Sequence, residues 1–128
     1  MTQDLTMLTW SVALTVVQMI IAAIGANGQV GLVTLAGNRD GVPDATGWAG
    51  RAQRAHANML ENLPLFAALV LTAQVSSHAN AMTALGAQLF FWARLVYAIV
   101  YLAGIPWLRT LVWAVSVIGL VLIFLQIV

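Results

Sequence analysis

The sequence predicts an all-α integral membrane protein, built as an up-down bundle of four helices in a single domain. Hydrophobic residues make up 62% of the 128 residues and charged residues only 7%, with a mean hydropathy of +0.93. Soluble domains are about 25% charged. A chain this apolar cannot bury its hydrophobic surface inside so small a globule, so we expect the lipid bilayer to be its solvent.

Four apolar segments are each long enough to cross a bilayer, which takes about 20 residues. They span about 5–35, 47–75, 82–105 and 107–128. The connections have the composition of turns: "AGNRDGVPDATG" is rich in glycine and aspartate, "SSHAN" is short and polar, and "AGIPW" contains a helix-breaking proline. Short connections between helices favour antiparallel neighbours.

The arginines predict the orientation in the membrane. Arg39, Arg51, Arg54 and Arg109 all belong to the first and third connections or the helix starts beside them, whereas the other side of the bundle has no basic residue. Because basic residues accumulate on the cytoplasmic side, we expect both termini to lie outside the cytoplasm. The net charge of +1 argues against a nucleic-acid partner, and the lack of cysteine excludes thiolate catalysis by the chain itself.

The stretch "RAQRAHANMLENLPLF" at 51–66 places polar residues at the start of an apolar helix. At about 100° per residue, Arg51, Arg54, Asn58, Glu61 and Asn62 fall within an arc of about 100° and form one polar stripe. One interpretation is that the arginines anchor the helix and Glu61 pairs with one of them. The other is that the stripe binds a ligand, because carboxylates inside membrane bundles are mostly functional.

The third segment carries a matching polar face. Arg94 has at least ten largely apolar residues on either side, so it must face the bundle or a polar cavity. Tyr97 and Tyr101 share its face, and an antiparallel third helix would bring Arg94 close to Glu61. That pair could fix the packing or bind a ligand, and Arg109 at the next turn could be an anchor or part of the same site.

The combined set predicts the chemistry of a ligand. Several arginines with one carboxylate suit a small peptide-like molecule that has carboxylates and a free amine. The arginines would bind the carboxylates, and Glu61 would bind the amine.

These residues resemble the signature of the MAPEG superfamily, the membrane-associated proteins in eicosanoid and glutathione metabolism. The signature residues are Arg54, Asn58, Glu61 and Pro64, and the four-helix plan is similar as well. The resemblance is to the short bacterial branch, and implies a homotrimer in the bacterial inner membrane. It further implies glutathione as co-substrate, bound between subunits near the cytoplasmic face, and a lipophilic second substrate that enters from the membrane lipids.

The resemblance also implies roles for particular residues. The expected glutathione-binding residues are Arg51, Arg54, Asn58, Glu61, Arg94, Tyr97 and Tyr101. Arg109 and Thr110 are expected to assist the thiolate, and no metal is implied. One departure is Gly31, which stands where glutathione-using relatives often have an arginine. Two functions therefore remain open: a glutathione-dependent transferase or peroxidase, and a non-enzymatic trimeric scaffold or accessory subunit in which the polar stripe is structural.

Overall fold

The computed structural model describes all 128 residues and contains five helices and no strand. The helices are α1 (Gln3–Val30), α2 (Leu32–Ala36), α3 (Gly47–Val75), α4 (Ala81–Ala103) and α5 (Pro106–Ile127). The all-α prediction is confirmed. The predicted bounds of the last three segments agree with α3, α4 and α5 to within two residues. The structure has five helices, however, and not the predicted four.

The fifth helix arises because the first predicted segment, 5–35, is interrupted at Gly31. This residue has φ = +86°, in the region that favours glycine, and its N–H donates to the Asn27 carbonyl at 2.9 Å. The break ends α1 at Val30, and Leu32 starts the five-residue helix α2. Residues 32–36 are again mostly apolar, so hydropathy alone does not place a helix end at Val30.

The helix starts are fixed by local hydrogen bonds. The Asn80 side chain accepts from the backbone N–H groups of Met82 and Thr83 at 2.9 and 3.0 Å, and the Thr83 hydroxyl lies 2.8 Å from the Asn80 backbone nitrogen. This reciprocal capping box starts α4 directly after a tight turn. Pro106 starts α5 at a position where its missing N–H costs nothing.

Side-chain bonds at both ends of α1 show that it runs antiparallel to α3. Near the start of α1, the Thr2 hydroxyl accepts from Gln74, close to the end of α3, at 3.1 Å. Near the other end, the Gln29 amide bonds both to the carbonyl (2.8 Å) and to the N–H (2.9 Å) of Thr46, the residue before α3. Gln29 therefore fixes the end of the first connection and the entry into α3.

The remaining helices continue the up-down order. Arg51, near the start of α3, donates to the carbonyl of Leu102, near the end of α4, at 3.0 Å. Asn80, at the start of α4, donates to Gln126, near the end of α5, at 2.9 Å. Both chain termini consequently lie at one end of the bundle. The opposite end, which holds Arg51 and the start of α5, is called the basic end below.

The core is made of tightly packed apolar and small residues. Phe66 of α3 stacks on Phe90 of α4 with ring centroids 4.0 Å apart. Helices α4 and α5 approach closely where Gly86 meets Gly119, since a Cβ on Gly86 would stand 2.6 Å from the Gly119 carbonyl oxygen. Small residues that allow such close approach are typical of helix packing in lipid.

Three helices, α1, α4 and α5, are long and apolar enough to cross a membrane. Helix α3 has 29 residues but is not among them, because its first half carries the polar stripe. Large apolar side chains such as Ile24, Trp92, Leu111 and Phe124 are exposed on the outside of the bundle. An apolar exterior of this extent is suited to lipid.

Candidate functional site

Arg94 of α4 is the most deeply buried charged residue, with only 1% of its surface exposed. Its Nη2 donates to Asn58 Oδ1 on α3 at 2.6 Å, and its guanidinium carbon lies 4.2 Å from the centre of the Tyr97 ring. Its Nε and Nη1 have no hydrogen-bond partner within the chain. The predicted shared face of Arg94 and Tyr97 is confirmed, and the guanidinium retains two unused donor groups.

Asn58 is held in place by two donors. Its side-chain oxygen accepts from Arg94 and also from Asn62 Nδ2 at 3.2 Å, and the same Asn62 nitrogen donates to the Asn58 carbonyl at 2.8 Å. All hydrogen bonds of the Asn58 side chain therefore go to its oxygen. Asn62, which is 9% exposed, acts within α3 as a positioning residue for Asn58.

Two further arginines contact Tyr101 at the basic end. Arg54 Nε donates to the Tyr101 hydroxyl at 3.3 Å, and the guanidinium carbon of Arg109 lies 4.4 Å from the centre of the Tyr101 ring. Tyr97 and Tyr101 meet edge to face with centroids 5.6 Å apart. Three helices thus contribute cations to one pair of phenols, an arrangement that concentrates positive charge at this place.

Arg51 lies at the edge of this group and contacts the end of α4. Besides its bond to the Leu102 carbonyl, its guanidinium lies beside Gly104, where a Cβ would stand 3.5 Å from Nε. Carbonyls in the last turn of a helix have no partner within the helix, and a cation there also complements the helix dipole. Arg51 therefore has a structural contact within the chain, while its role in glutathione binding stays a prediction.

Glu61 does not pair with Arg94, although the sequence allowed the two to approach. Arg94 bonds only to Asn58, and Glu61 lies on the exposed surface of α3. The physical reason is the angular position on α3: Asn58 faces α4, whereas Glu61 is turned about 60° away at 100° per residue. The Glu61 carboxylate is left available to a ligand or to a second chain.

A polar pocket opens beside these residues, between α3, α4 and the first turns of α5. It has a volume of about 150 Å³ and is lined by Asn58, Tyr97, Arg109, Thr110 and Trp113. The Thr110 hydroxyl makes one bond, at 3.4 Å, to the Pro106 carbonyl. A pocket with a guanidinium, an amide, a phenol and a hydroxyl suits a polar ligand that carries negative charge.

The sequence missed two residues of the site. Trp113, which lines the pocket, was not among the expected site residues, and Asn62, which holds Asn58, had no role beyond membership of the stripe. The available signal was helical spacing, because Trp113 is four residues after Arg109 and Asn62 is four residues after Asn58. The chain has no group of three or more His, Asp or Glu residues that could hold a metal ion.

Of three comparisons with known proteins, one found a match. A comparison with curated proteins and one with solved structures each found no match. The model of the MAPEG family matches residues 7–128, which includes α3, α4, α5 and all but the first four residues of α1. The apolar helices and this match identify a membrane protein. The predicted resemblance is confirmed, and the chain belongs to the MAPEG family.

Proposed function

We propose that the protein is a membrane-embedded glutathione-dependent transferase or peroxidase that acts on lipophilic electrophiles. The observation that carries this proposal is the Arg94 guanidinium, which is 1% exposed and has two nitrogens without a partner. A buried charge with unused donors is costly unless a counter-charge satisfies it. A ligand carboxylate supplies that counter-charge and can accept a charged hydrogen bond from either free nitrogen.

The remaining polar groups match the other ends of glutathione. Arg54 is exposed at the basic end and available to the second carboxylate, and Glu61 is exposed and available to the ammonium group. Charged hydrogen bonds of this kind contribute roughly 1.5 to 3 kcal/mol each. In this assignment Asn58, Tyr97 and Tyr101 orient the peptide, because Asn58 touches Arg94 and the phenols support the arginines.

Arg109 and Thr110 are assigned to the thiol. A cation beside a thiol favours the thiolate, and a hydroxyl can donate a hydrogen bond to it. In transfer, the thiolate sulfur forms a bond to an electrophilic carbon while the leaving group departs with its electron pair. In peroxide reduction, the sulfur takes the terminal oxygen, the O–O bond breaks and the alkoxide takes a proton. A second glutathione then converts the sulfenic acid to a disulfide and water.

A trimer is part of the proposal, because one chain provides only part of a site. The pocket of about 150 Å³ is smaller than the roughly 300 to 1,000 Å³ of small-molecule sites. A neighbouring subunit would complete it. Native mass spectrometry of the protein released from detergent is expected to give three chains as the main species. A main species of one or two chains would contradict the trimer.

The orientation proposed is both termini outside the cytoplasm, in a bacterial inner membrane. The chain has no cysteine, so single cysteines report on it directly. We expect Ser77→Cys and Val128→Cys to react with an impermeant maleimide in intact cells, because both residues are exposed at the end with the termini. Asp40→Cys, exposed in the loop after α2, is the matched control and should react only after permeabilisation. The reverse labelling pattern would contradict the proposed orientation.

A second candidate is a non-enzymatic trimeric scaffold, and two contacts favour it. The Nε atoms of Arg51 and Arg54 each donate a hydrogen bond from α3 to α4. Such bonds are expected if the polar stripe serves to hold the helices together. The two candidates are separated by measuring glutathione binding to the purified protein in lipid. Saturable binding at or below millimolar concentration supports the enzyme, and no binding in that range leaves the scaffold.

A further inference from the structure

A second pocket, separate from the polar one, lies between α1, α3 and α4. It has a volume of about 140 Å³, and nine of its ten lining residues are apolar. Leu14 and Ile21 of α1, Ala55 of α3 and Ile99 of α4 form its walls. It is called the α1 groove below. None of its lining residues lines the polar pocket beside Arg109.

The single polar residue of the α1 groove is Gln18. Only 7% of its surface is exposed, and its Oε1 has no hydrogen-bond partner in the chain. Two other polar residues on the buried face of α1 are satisfied locally, since Ser11 and Thr15 donate to the carbonyls four residues before them at 2.8 Å. Asp4, in the first turn of α1 and away from the groove, also keeps an unpaired Oδ2. Buried polar groups in folded proteins nearly always have a partner, so the orphaned Gln18 requires one from outside the chain.

The position of Gln18 along α1 limits what that partner can be. It lies 15 residues after Gln3 and 12 before Val30, or about 22 and 18 Å from the two helix ends at 1.5 Å per residue. With a hydrocarbon layer about 30 Å thick, this is the apolar interior of the membrane. A phosphate headgroup or a free ion would have to leave water entirely to reach it.

We propose that the α1 groove binds an apolar, membrane-dissolved molecule that carries a hydroxyl group, with the O–H donating to Gln18 Oε1. A hydroxyl group is neutral, so it can enter the apolar interior of the membrane. Because it accepts as well as donates, it could also accept a hydrogen bond from the Gln18 Nε2 group. The apolar body would lie along the groove walls. The proposal is independent of glutathione binding, because it uses a different pocket and different residues.

The test uses two probes that differ by one hydrogen-bond donor. A photoreactive long-chain alcohol, or its methyl ether, is added to the protein in lipid nanodiscs. The samples are then illuminated, and the labelled peptides are identified by mass spectrometry. We expect the alcohol to label groove residues of α1 and α4 about threefold to tenfold more than the ether, as one neutral hydrogen bond predicts. Gln18→Leu should reduce labelling by the alcohol to the level of the ether.

Two further variants make the result specific. Gln88→Leu removes a glutamine from another surface groove, between α4 and α5, and should leave labelling of the α1 groove unchanged. Val17→Trp, at a half-exposed position on the groove, should block both probes without removing Gln18. Equal labelling by alcohol and ether overturns the proposal. So does a change of oligomeric state in Gln18→Leu, which would mean that a second copy of the chain covers Gln18.

Discussion

Arg94→Met is expected to weaken glutathione binding at least about thirtyfold while leaving the unliganded protein as stable as before, or more stable. The substitution keeps an unbranched side chain in the core but removes a buried charge whose Nε and Nη1 have no partner. Removing one member of a buried charged pair costs about 2 to 5 kcal/mol in binding, which is roughly thirtyfold to several thousandfold in affinity. Without ligand the same change removes only a poorly satisfied charge, and Asn58 still accepts from Asn62.

The measurement is thermal unfolding in detergent over a range of glutathione concentrations, since a ligand that binds the folded state raises Tm. Wild-type Tm should rise with glutathione, and Arg94→Met should need at least about thirtyfold more glutathione for the same rise. Arg39→Ala is the matched control, because it removes an arginine from the exposed loop after α2 and should keep the wild-type response. A lower Tm of Arg94→Met without ligand, combined with wild-type affinity, would mean that Arg94 is structural.

Arg109→Ala is expected to spare glutathione binding and to suppress ionisation of the bound thiol. Arg109 is half-buried over Tyr101 and lines the polar pocket with Thr110, so its charge acts on whatever occupies that pocket. An adjacent opposite charge shifts an ionisation by about 1 to 3 pH units. At neutral pH the fraction of bound glutathione that is thiolate should therefore fall by a factor of about ten or more in the variant. Transferase or peroxidase activity should fall in proportion.

The readout is the ultraviolet absorbance of the bound thiolate, followed as a function of pH. The pH of half-ionisation should rise in Arg109→Ala and stay near the wild-type value in Arg109→Lys, which retains a cation. Affinity measured separately should change by no more than a few fold in either variant. An unchanged titration in Arg109→Ala would identify Arg109 as an anchor at the start of α5 and not as a group that acts on the thiol.

Helical spacing predicted most of the site because the residues concerned lie on regular helices. Arg94, Tyr97 and Tyr101 were placed on one face at 100° per residue, and the contacts among them agree. The same spacing placed Arg54 on the side of α3 that meets Tyr101. Such predictions need no knowledge of neighbouring helices, since the backbone geometry alone fixes them.

Contacts between helices were less predictable. The sequence allowed Arg94 to meet Glu61, but the rotation of α3 against α4 brings Asn58 to Arg94 and turns Glu61 outward. The α1 groove was also unforeseen, because Gln18 is a mild polar residue in a long apolar segment. Its burial among apolar side chains of three helices appears only when those helices are packed together.

The sequence by itself determined the membrane character, the long helices and the family, because hydropathy, turn residues and the Arg54-Asn58-Glu61-Pro64 spacing are local properties of the chain. Only the tertiary structure decided which polar groups are satisfied. Whether Arg94 and Gln18 keep unused hydrogen-bonding groups depends on the rotation and depth of each helix against its neighbours. Those quantities follow from side-chain packing over the whole bundle, where residues far apart in the chain compete for the same space.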